Sequence, residues 1–293
     1  MRTYLDCFAC FFRQALETSR IAGMDVKKQK QILDEVAKLI PTFSLEVVPP
    51  YISRIIYNLI KEQTKDKDPY KKIKEKSNKL ILDIYDNLKN KIKKAKDPLL
   101  MAVELSIIGN IIDYGAKNHL NVKEEINSIV KGEYKFIKNK NSKFFNYKKF
   151  KDILEKAKTV IYLADNTGEI VFDKLLIEQI KSQYKNKEII YVVREKAIIN
   201  DVLFEDAIMC GIDKIVKVMK SGCDAPGTLL SLCSKEFLDI YNKADMVISK
   251  GQGNFEALSN ENKMIFFLFI AKCNVVAQHV GCNIRDIILK SSI

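Results

Sequence analysis

The sequence of 293 residues predicts an α/β fold: an N-terminal helical bundle followed by a Rossmann-like, mostly parallel sheet sandwiched by helices. Three observations carry that expectation. Apolar residues recur at three- and four-residue spacing through the first 130 residues, the period of amphipathic helices. From residue 150 the period changes to short β-branched runs separated by helical stretches, the alternation that builds a parallel sheet. Polar residues able to do chemistry fall just after those runs, where open α/β sheets collect ligands.

The helical expectation covers Tyr4 to Ile21, Asp25 to Ile40, Pro50 to Gln63, Tyr70 to Lys94, Pro98 to Asn118 and Val122 to Val130. Punctuation supports these limits. Gly23 and Asp25 separate the first two helices, Pro41 stops the second, and Pro49-Pro50, Asp68-Pro69 and Asp97-Pro98 open the next three. Strands are expected at 159–163, 188–193, 213–218, 245–249 and 265–270. The division that follows is a helical cap at 1–130, a basic connector at 131–150 and an α/β catalytic domain at 151–293. No internal repeat is present.

Composition bounds the class. The chain is 47% hydrophobic and 29% charged, ordinary for a soluble protein with a sizeable core. The opening Met1-Arg2-Thr3-Tyr4-Leu5-Asp6-Cys7 has an acid and no cleavage-like site. The most apolar segment, Met264 to Ala271, is far shorter than the roughly 20 residues a bilayer requires. A cytoplasmic protein with no membrane partner is expected. Net charge is +12, yet only six residues are Arg, and ten Lys against three acids crowd residues 131–158. Arg rather than Lys suits bidentate phosphate or base recognition, so a solvated lysine-rich surface is the first reading. Phe144, Phe145 and Tyr147 interleave with those lysines and leave weak nucleic-acid binding as the second. Seven scattered cysteines are expected as reduced thiols. Cys7-x-x-Cys10 lacks both a second pair for zinc and a preceding strand for a thioredoxin-like role. His119 and His279, the only histidines, read as packing or surface residues.

The richest stretch is Ala164-Asp165-Asn166-Thr167-Gly168-Glu169, between a strand and a helix. Asp165 and Asn166 offer hard oxygens to a cation; equally, Asp165 could cap the helix that follows. Asn200-Asp201 repeats the choice after the second strand, beside Arg194, which could meet an anion or a neighbouring acid. Ser221-Gly222-Cys223-Asp224-Ala225-Pro226-Gly227-Thr228 forms a tight loop whose amides can face a ligand. Lys250-Gly251-Gln252-Gly253-Asn254-Phe255-Glu256 sets an ammonium beside exposed amides, equipment for holding phosphate, though it is not a Walker loop. No Gly-x-Gly-x-x-Gly fingerprint occurs, which disfavours a dinucleotide site. Gly109-Asn110-x-x-Asp113 interrupts an apolar helix, its two polar residues either bonding within the bundle or facing the sheet's active edge. Oxygen donors without histidine suit Mg²⁺, Mn²⁺ or Co²⁺ better than structural zinc.

Taken in order, Asp6-Cys7-x-x-Cys10, Gly109-Asn110-x-x-Asp113, Asp165-Asn166-x-Gly168-Glu169, Asn200-Asp201, the Ser221–Thr228 loop and the Lys250–Glu256 segment resemble the metal-dependent damage-control phosphatases, the family of the domain of unknown function eighty-nine. The likeness is to its prokaryotic, cysteine-bearing branch and covers nearly the whole chain. The resemblance implies that Asp165, Asn166 and Asp201 hold a divalent cation (Mn²⁺, Co²⁺, Ni²⁺ or Mg²⁺). It implies that Asp165, Asp201 and Lys250 carry catalysis, with Lys250 on the phosphoryl group. Asn110, Asp113, Glu169, Ser221, Gly222, Asp224, Gly251, Gly253, Asn254 and Glu256 would complete the substrate site. The implied substrates are small phosphate monoesters such as sugar phosphates or damaged phosphorylated metabolites.

Magnitudes favour a metal. Phosphate monoester hydrolysis needs accelerations up to about 10²¹-fold, whereas one acid–base residue supplies about 10²- to 10⁴-fold. Attack by metal-activated water is the expected route, with an aspartyl phosphate on Asp165 as its alternative. Two other classes stand as rivals: a Rossmann-like methyltransferase with a nucleoside cofactor, whose acids would bind ribose, and a non-enzymatic nucleic-acid-binding protein using the 131–158 lysines.

Overall fold

The computed structural model describes residues 1–64, 66–110 and 143–293. Six α-helices lie within the described residues up to 110: α1 (Leu5–Ile21), α2 (Val26–Leu39), α3 (Pro49–Glu62), α4 (Lys71–Leu82), α5 (Tyr85–Lys94) and α6 (Pro98–Ile108). Capping fixes several starts as the punctuation indicates. The Asp25 carboxylate accepts from Lys28 N (2.8 Å) and that of Asp97 from Leu100 N (3.0 Å). The single helix expected over Tyr70 to Lys94 is instead two, parting at Asp83–Ile84, and both pieces lay apolar residues (Ile81; Leu88 and Ile92) on one core. The expected end of the fifth helix, the whole sixth, Asp113, His119 and most of the basic connector lie outside the described residues.

After α7 (Tyr147–Lys156), strands and helices alternate: β1 (Thr159–Leu163), α8 (Glu169–Gln183), β2 (Glu188–Val193), α9 (Phe204–Met209), β3 (Lys217–Lys220), α10 (Lys235–Lys243), β4 (Met246–Lys250), α11 (Gln252–Leu258), β5 (Ile265–Ile270), α12 (Asn274–Val280) and β6 (Ile287–Ser291). The sheet runs β3-β2-β1-β4-β5-β6, with every neighbouring pair parallel except β5 and β6. Two expectations are corrected. β3 begins at Lys217 rather than 213, because the backbone around Ile212 to Val216 is still turning, with Val216 N donating to Ile212 O. β6 was not expected; its short apolar run Ile287-Ile288-Leu289 carries no period that separates strand from helix.

Buried strands make the core two-faced. Val160, Tyr162, Tyr191 and Ile248 point into one layer with Leu105, Phe150, Phe172 and Leu176 of α6, α7 and α8. Ile161, Leu163, Val192 and Phe267 point into the other, with Phe237, Phe255 and Val276 of α10, α11 and α12. Helices α1 to α3 pool Phe11, Ala15, Val36, Ile52 and Ile56 in a third cluster of their own. The helical half is thus divided: α1–α3 pack together, while α5 and α6 belong to the core of the sheet.

The three described aromatics of the basic stretch that interleave with lysines, Phe144, Phe145 and Tyr147, all make contacts within the protein. Phe144 is buried, Phe145 bridges to Leu289, and Tyr147 donates its hydroxyl to Asp97 (3.0 Å). Among the described residues no helix is long and apolar enough to cross a membrane.

Because β1 lies between β2 and β4, chain crossings leave it in opposite directions, and a crevice opens at the carboxyl ends of β1 and β4. Asp165 follows β1 and Lys250 closes β4, so the fold alone brings these two distant positions side by side.

Candidate active site

Asp165 does not cap α8. That helix starts at Gly168, which makes no side-chain cap, and Gly168 N is held by Asn78 Oδ1 of α4 (2.7 Å). The buried Asp165 carboxylate lies at the carboxyl end of β1, where Oδ2 accepts from Asn166 Nδ2 (2.8 Å) and Asn110 Nδ2 (3.3 Å). Both amides also donate to Glu169 Oε1, the Asn166 bond measuring 3.1 Å. Asn110, at the end of α6, therefore faces the active edge, which answers the choice the sequence left open.

Asp201 does not cap α9 either; that role falls to Asp206, whose Oδ2 accepts from Leu203 N (3.0 Å). Asp201 sits beside Asn166 through an isolated antiparallel bridge, and Asp165 O accepts from Val202 N (2.9 Å). Its Oδ2 accepts from Arg194 Nε at 2.7 Å. Arg194 thus meets a protein acid, one of the two partners expected for it.

Lys250 is fully buried, with Nζ 2.7 Å from Asp173 Oδ1 and 3.4 Å from Glu169 Oε2. Burial works against its charge, and Asp173 with Glu169 outweighs it, so its pKa is raised. Sequence reasoning missed Asp173, although it lies four residues beyond Glu169 on the same helix face. It accepts from Lys250, Tyr162 (2.7 Å), Tyr191 (2.9 Å) and Ser106 (3.2 Å), which makes it the anchor of the ammonium.

Charge is unbalanced here. Asp165, Glu169, Asp173 and Asp201 are buried together with two cations, Lys250 and Arg194. Burial pushes the Glu169 carboxyl up to about 7, with Lys250 opposing the shift and Asp165 adding to it. Glu256 on α11 is also pushed up to about 7 by burial. A carboxyl with a raised native pKa holds its proton more tightly when folded. Stability therefore falls as pH rises from the ordinary carboxylate range to about 7 and is flat beyond it. EDTA-treated protein should show that downward slope in urea melts, and Glu256→Gln should reduce it; an unaltered slope removes Glu256 as a source.

The remaining loops are knitted around this centre. Asn254 spends its amide on Ala164 O (3.0 Å) and Lys250 O (2.7 Å), while its Oδ1 accepts from Thr228 N (2.8 Å) and Arg194 Nη2 (3.1 Å). It ties four strand ends together rather than presenting a free amide. Ser221 is buried and accepts from Cys223 N (3.2 Å), Gly222 packs on Ser234, and Gly253 abuts Pro226. Glu256 accepts from Gln252 Nε2 (2.9 Å). Asp224 pairs with Arg54 of α3, a fork no sequence motif announced, since the partners are 170 residues apart. Beside Asp224 a cleft of about 530 Å³ runs past Asn58, Lys61, Thr64, Lys196 and Ala197.

The residues fit a hard cation. Asp165, Asn166 and Asp201 carry hard oxygen atoms of the kind such an ion takes, on side chains buried close together. Asn110 Oδ1 is buried without a hydrogen-bond partner among the described residues, and flipping the amide would turn that oxygen onto two carboxylates. Among the described residues no group of three or more His, Cys, Asp or Glu side chains is placed to hold a metal by itself.

Fold and crevice together define a Rossmann-like α/β protein with an anionic, oxygen-lined centre at its switch point. The chain belongs to the damage-control phosphatase ARMT1-like domain family, whose model matches residues 3–288. It is 32% identical to the damage-control phosphatase PH1575 of Pyrococcus horikoshii over 283 residues, covering 96% of this chain and 94% of that one. A damage-control phosphatase of Archaeoglobus fulgidus is 30% identical over 287 residues, covering 97% of both chains. The uncharacterized protein MJ0202 of Methanocaldococcus jannaschii is 33% identical over 292 residues, covering 97% of this chain and 93% of that one. The crystal structure of the Pyrococcus horikoshii member superimposes with a TM-score of 0.85 at 29% identity, covering 100% of both chains.

Proposed function

We propose that this protein is a metal-dependent phosphatase of small phosphorylated metabolites, such as sugar phosphates. The observation that carries the reading is the buried cluster of four acids and two cations at the β1–β4 switch point. Carboxyl groups crowded into one buried site repel one another when ionised, and a divalent cation would relieve that repulsion. The relatives named as damage-control phosphatases support the reaction class.

Asp165, Asn166 and Asp201 would hold the ion, with Mg²⁺, Mn²⁺, Co²⁺ and Ni²⁺ all compatible with oxygen donors. A divalent ion bound there supplies Lewis acidity to a phosphoryl oxygen and lowers the pKa of an attacking water. The chain's own groups do the rest. Arg194 fixes the Asp201 carboxylate, and Asn110 and Asn166 fix that of Asp165. The Lys250 ammonium beneath the crevice adds a positive field toward developing phosphoryl charge. The cleft past Asn58, Lys61 and Lys196, polar and open, would receive the organic part of the substrate. Helices α1–α3 would act as its cap, latched by Arg54 to Asp224.

Asp165→Asn tests this directly. The substitution keeps the shape, removes one of the crowded charges and weakens the oxygen set. Turnover of p-nitrophenyl phosphate with Mn²⁺ should fall by roughly 10²- to 10³-fold, as for loss of a preorganised electrostatic group. Metal-free thermal stability should not fall, because a like-charge contact has been relieved. Undiminished turnover would take Asp165 out of the reaction.

A further inference from the structure

The loop after β3 carries a second reactive centre, which the phosphatase reading does not use. Past Ser221 the chain turns through Leu230–Leu232 and returns so that Ser234 N donates to Ser221 O (2.9 Å). A side chain at Gly222 would overlap the Ser234 backbone, so the two segments meet at van der Waals distance only because that residue is glycine. This clamp lays Cys223, fully buried, in one packed cluster with the half-buried Cys233. Each sulfur also lies near a carbonyl of the same loop: Cys223 Sγ is 3.4 Å from Gly227 O and Cys233 Sγ 3.3 Å from Leu229 O.

From this apposition we propose that Cys223 and Cys233 are a dithiol redox site, oxidised to a reversible disulfide by small-molecule disulfides. All seven cysteines are free. The neighbouring Cys233 pulls the Cys223 thiol down, against burial and with help from the Arg194 guanidinium, while Cys223 and burial push Cys233 up.

The accessible sulfur reacts first. Cys233 gives up its proton to solvent and attacks R–S–S–R; a Cys233–S–S–R bond forms, and R–S⁻ leaves and takes up a proton from solvent. The Cys223 thiol then gives up its proton to solvent and its sulfur attacks the Cys233 sulfur, closing the internal disulfide and expelling the second R–S⁻, which is protonated in turn. In sum, two Cys–SH and one R–S–S–R become one Cys–S–S–Cys and two R–SH. The loop that oxidation would tighten carries Thr228, which accepts from Arg194 (2.9 Å), and Asp224, which pairs with Arg54.

The test is peptide mapping of native full-length protein after incubation with oxidised glutathione and alkylation of the remaining thiols. A Cys223–Cys233 linked peptide should appear, with a loss of two hydrogens in the intact mass, and vanish on treatment with dithiothreitol. The Cys233→Ser variant, altered at the half-buried position, should stay folded and yield no such link. Glutathione adducts on Cys10 without any internal link, or a link that forms only after unfolding in urea, would overturn the assignment.

Discussion

Lys250→Met should lower the free energy of unfolding by about 3–5 kcal/mol, the usual cost of removing one partner from a buried ion pair. The methionine matches the alkyl stem, so packing is nearly preserved and the loss is electrostatic. What remains is Glu169 and Asp173, both without solvent exposure, facing one another with no ammonium between them. Asp173 still accepts from Tyr162, Tyr191 and Ser106, while Glu169 keeps only neutral amide donors. The deficit should therefore shrink as pH falls, since protonating a carboxyl removes the orphaned charge. Urea unfolding followed by circular dichroism at alkaline and mildly acidic pH measures both effects. Turnover should be lost as well, so the comparison decides between two roles. If Lys250→Met abolishes turnover at undiminished stability, the lysine serves the phosphoryl group alone, as the motif by itself suggests. If both fall together and the stability deficit is pH-dependent, its ammonium also holds the acid cluster in place.

That double role shows where sequence reasoning ends. The residues β1, β2 and β5 occupy were legible because buried parallel strands are unbroken β-branched or aromatic runs bounded by turns. The meeting of Asp165, Asn166 and Asp201 was legible for a topological reason: neighbouring parallel strands end on the same side. Burial of Lys250 was not legible. Its motif looks like an open phosphate loop, and only the packing of α8 over β4 places Asp173 under the ammonium. Asn254 likewise stands in a segment that resembles a ligand cradle, yet its amide is consumed by backbone groups of two strand ends. The Arg54–Asp224 fork and the Asn78 clamp on Gly168 join elements far apart in the chain, and neither partner has a neighbour in sequence to mark it. The sequence left helix cap and ligand open for Asp165 and Asp201, and only the observed helix starts put the N-cap positions at Gly168 and Leu203 instead.

Gly251→Ala should damage fold and site at once, for two separable reasons. Gly251 has φ +80° and ψ 158°, a region that essentially only glycine occupies, and forcing alanine there costs of order 1–3 kcal/mol. A methyl group would also overlap the Asp165 carboxylate. Neither side can retreat easily: Gly251 N is tied to Leu268 O of β5 (3.1 Å), and Asp165 is held by Asn110 and Asn166. Turnover should therefore fall far more than the loss of stability explains. Gly281→Ala supplies the control, since Gly281 also has a left-handed φ of +82° but open space where a methyl group would sit. That variant should lose about 1–2 kcal/mol to backbone strain and keep its turnover. Thermal melts and p-nitrophenyl phosphate hydrolysis of the two variants, side by side, separate strain from obstruction. Equal turnover in both would mean that the Asp165 carboxylate can shift without consequence, and the reaction would then have to be centred elsewhere.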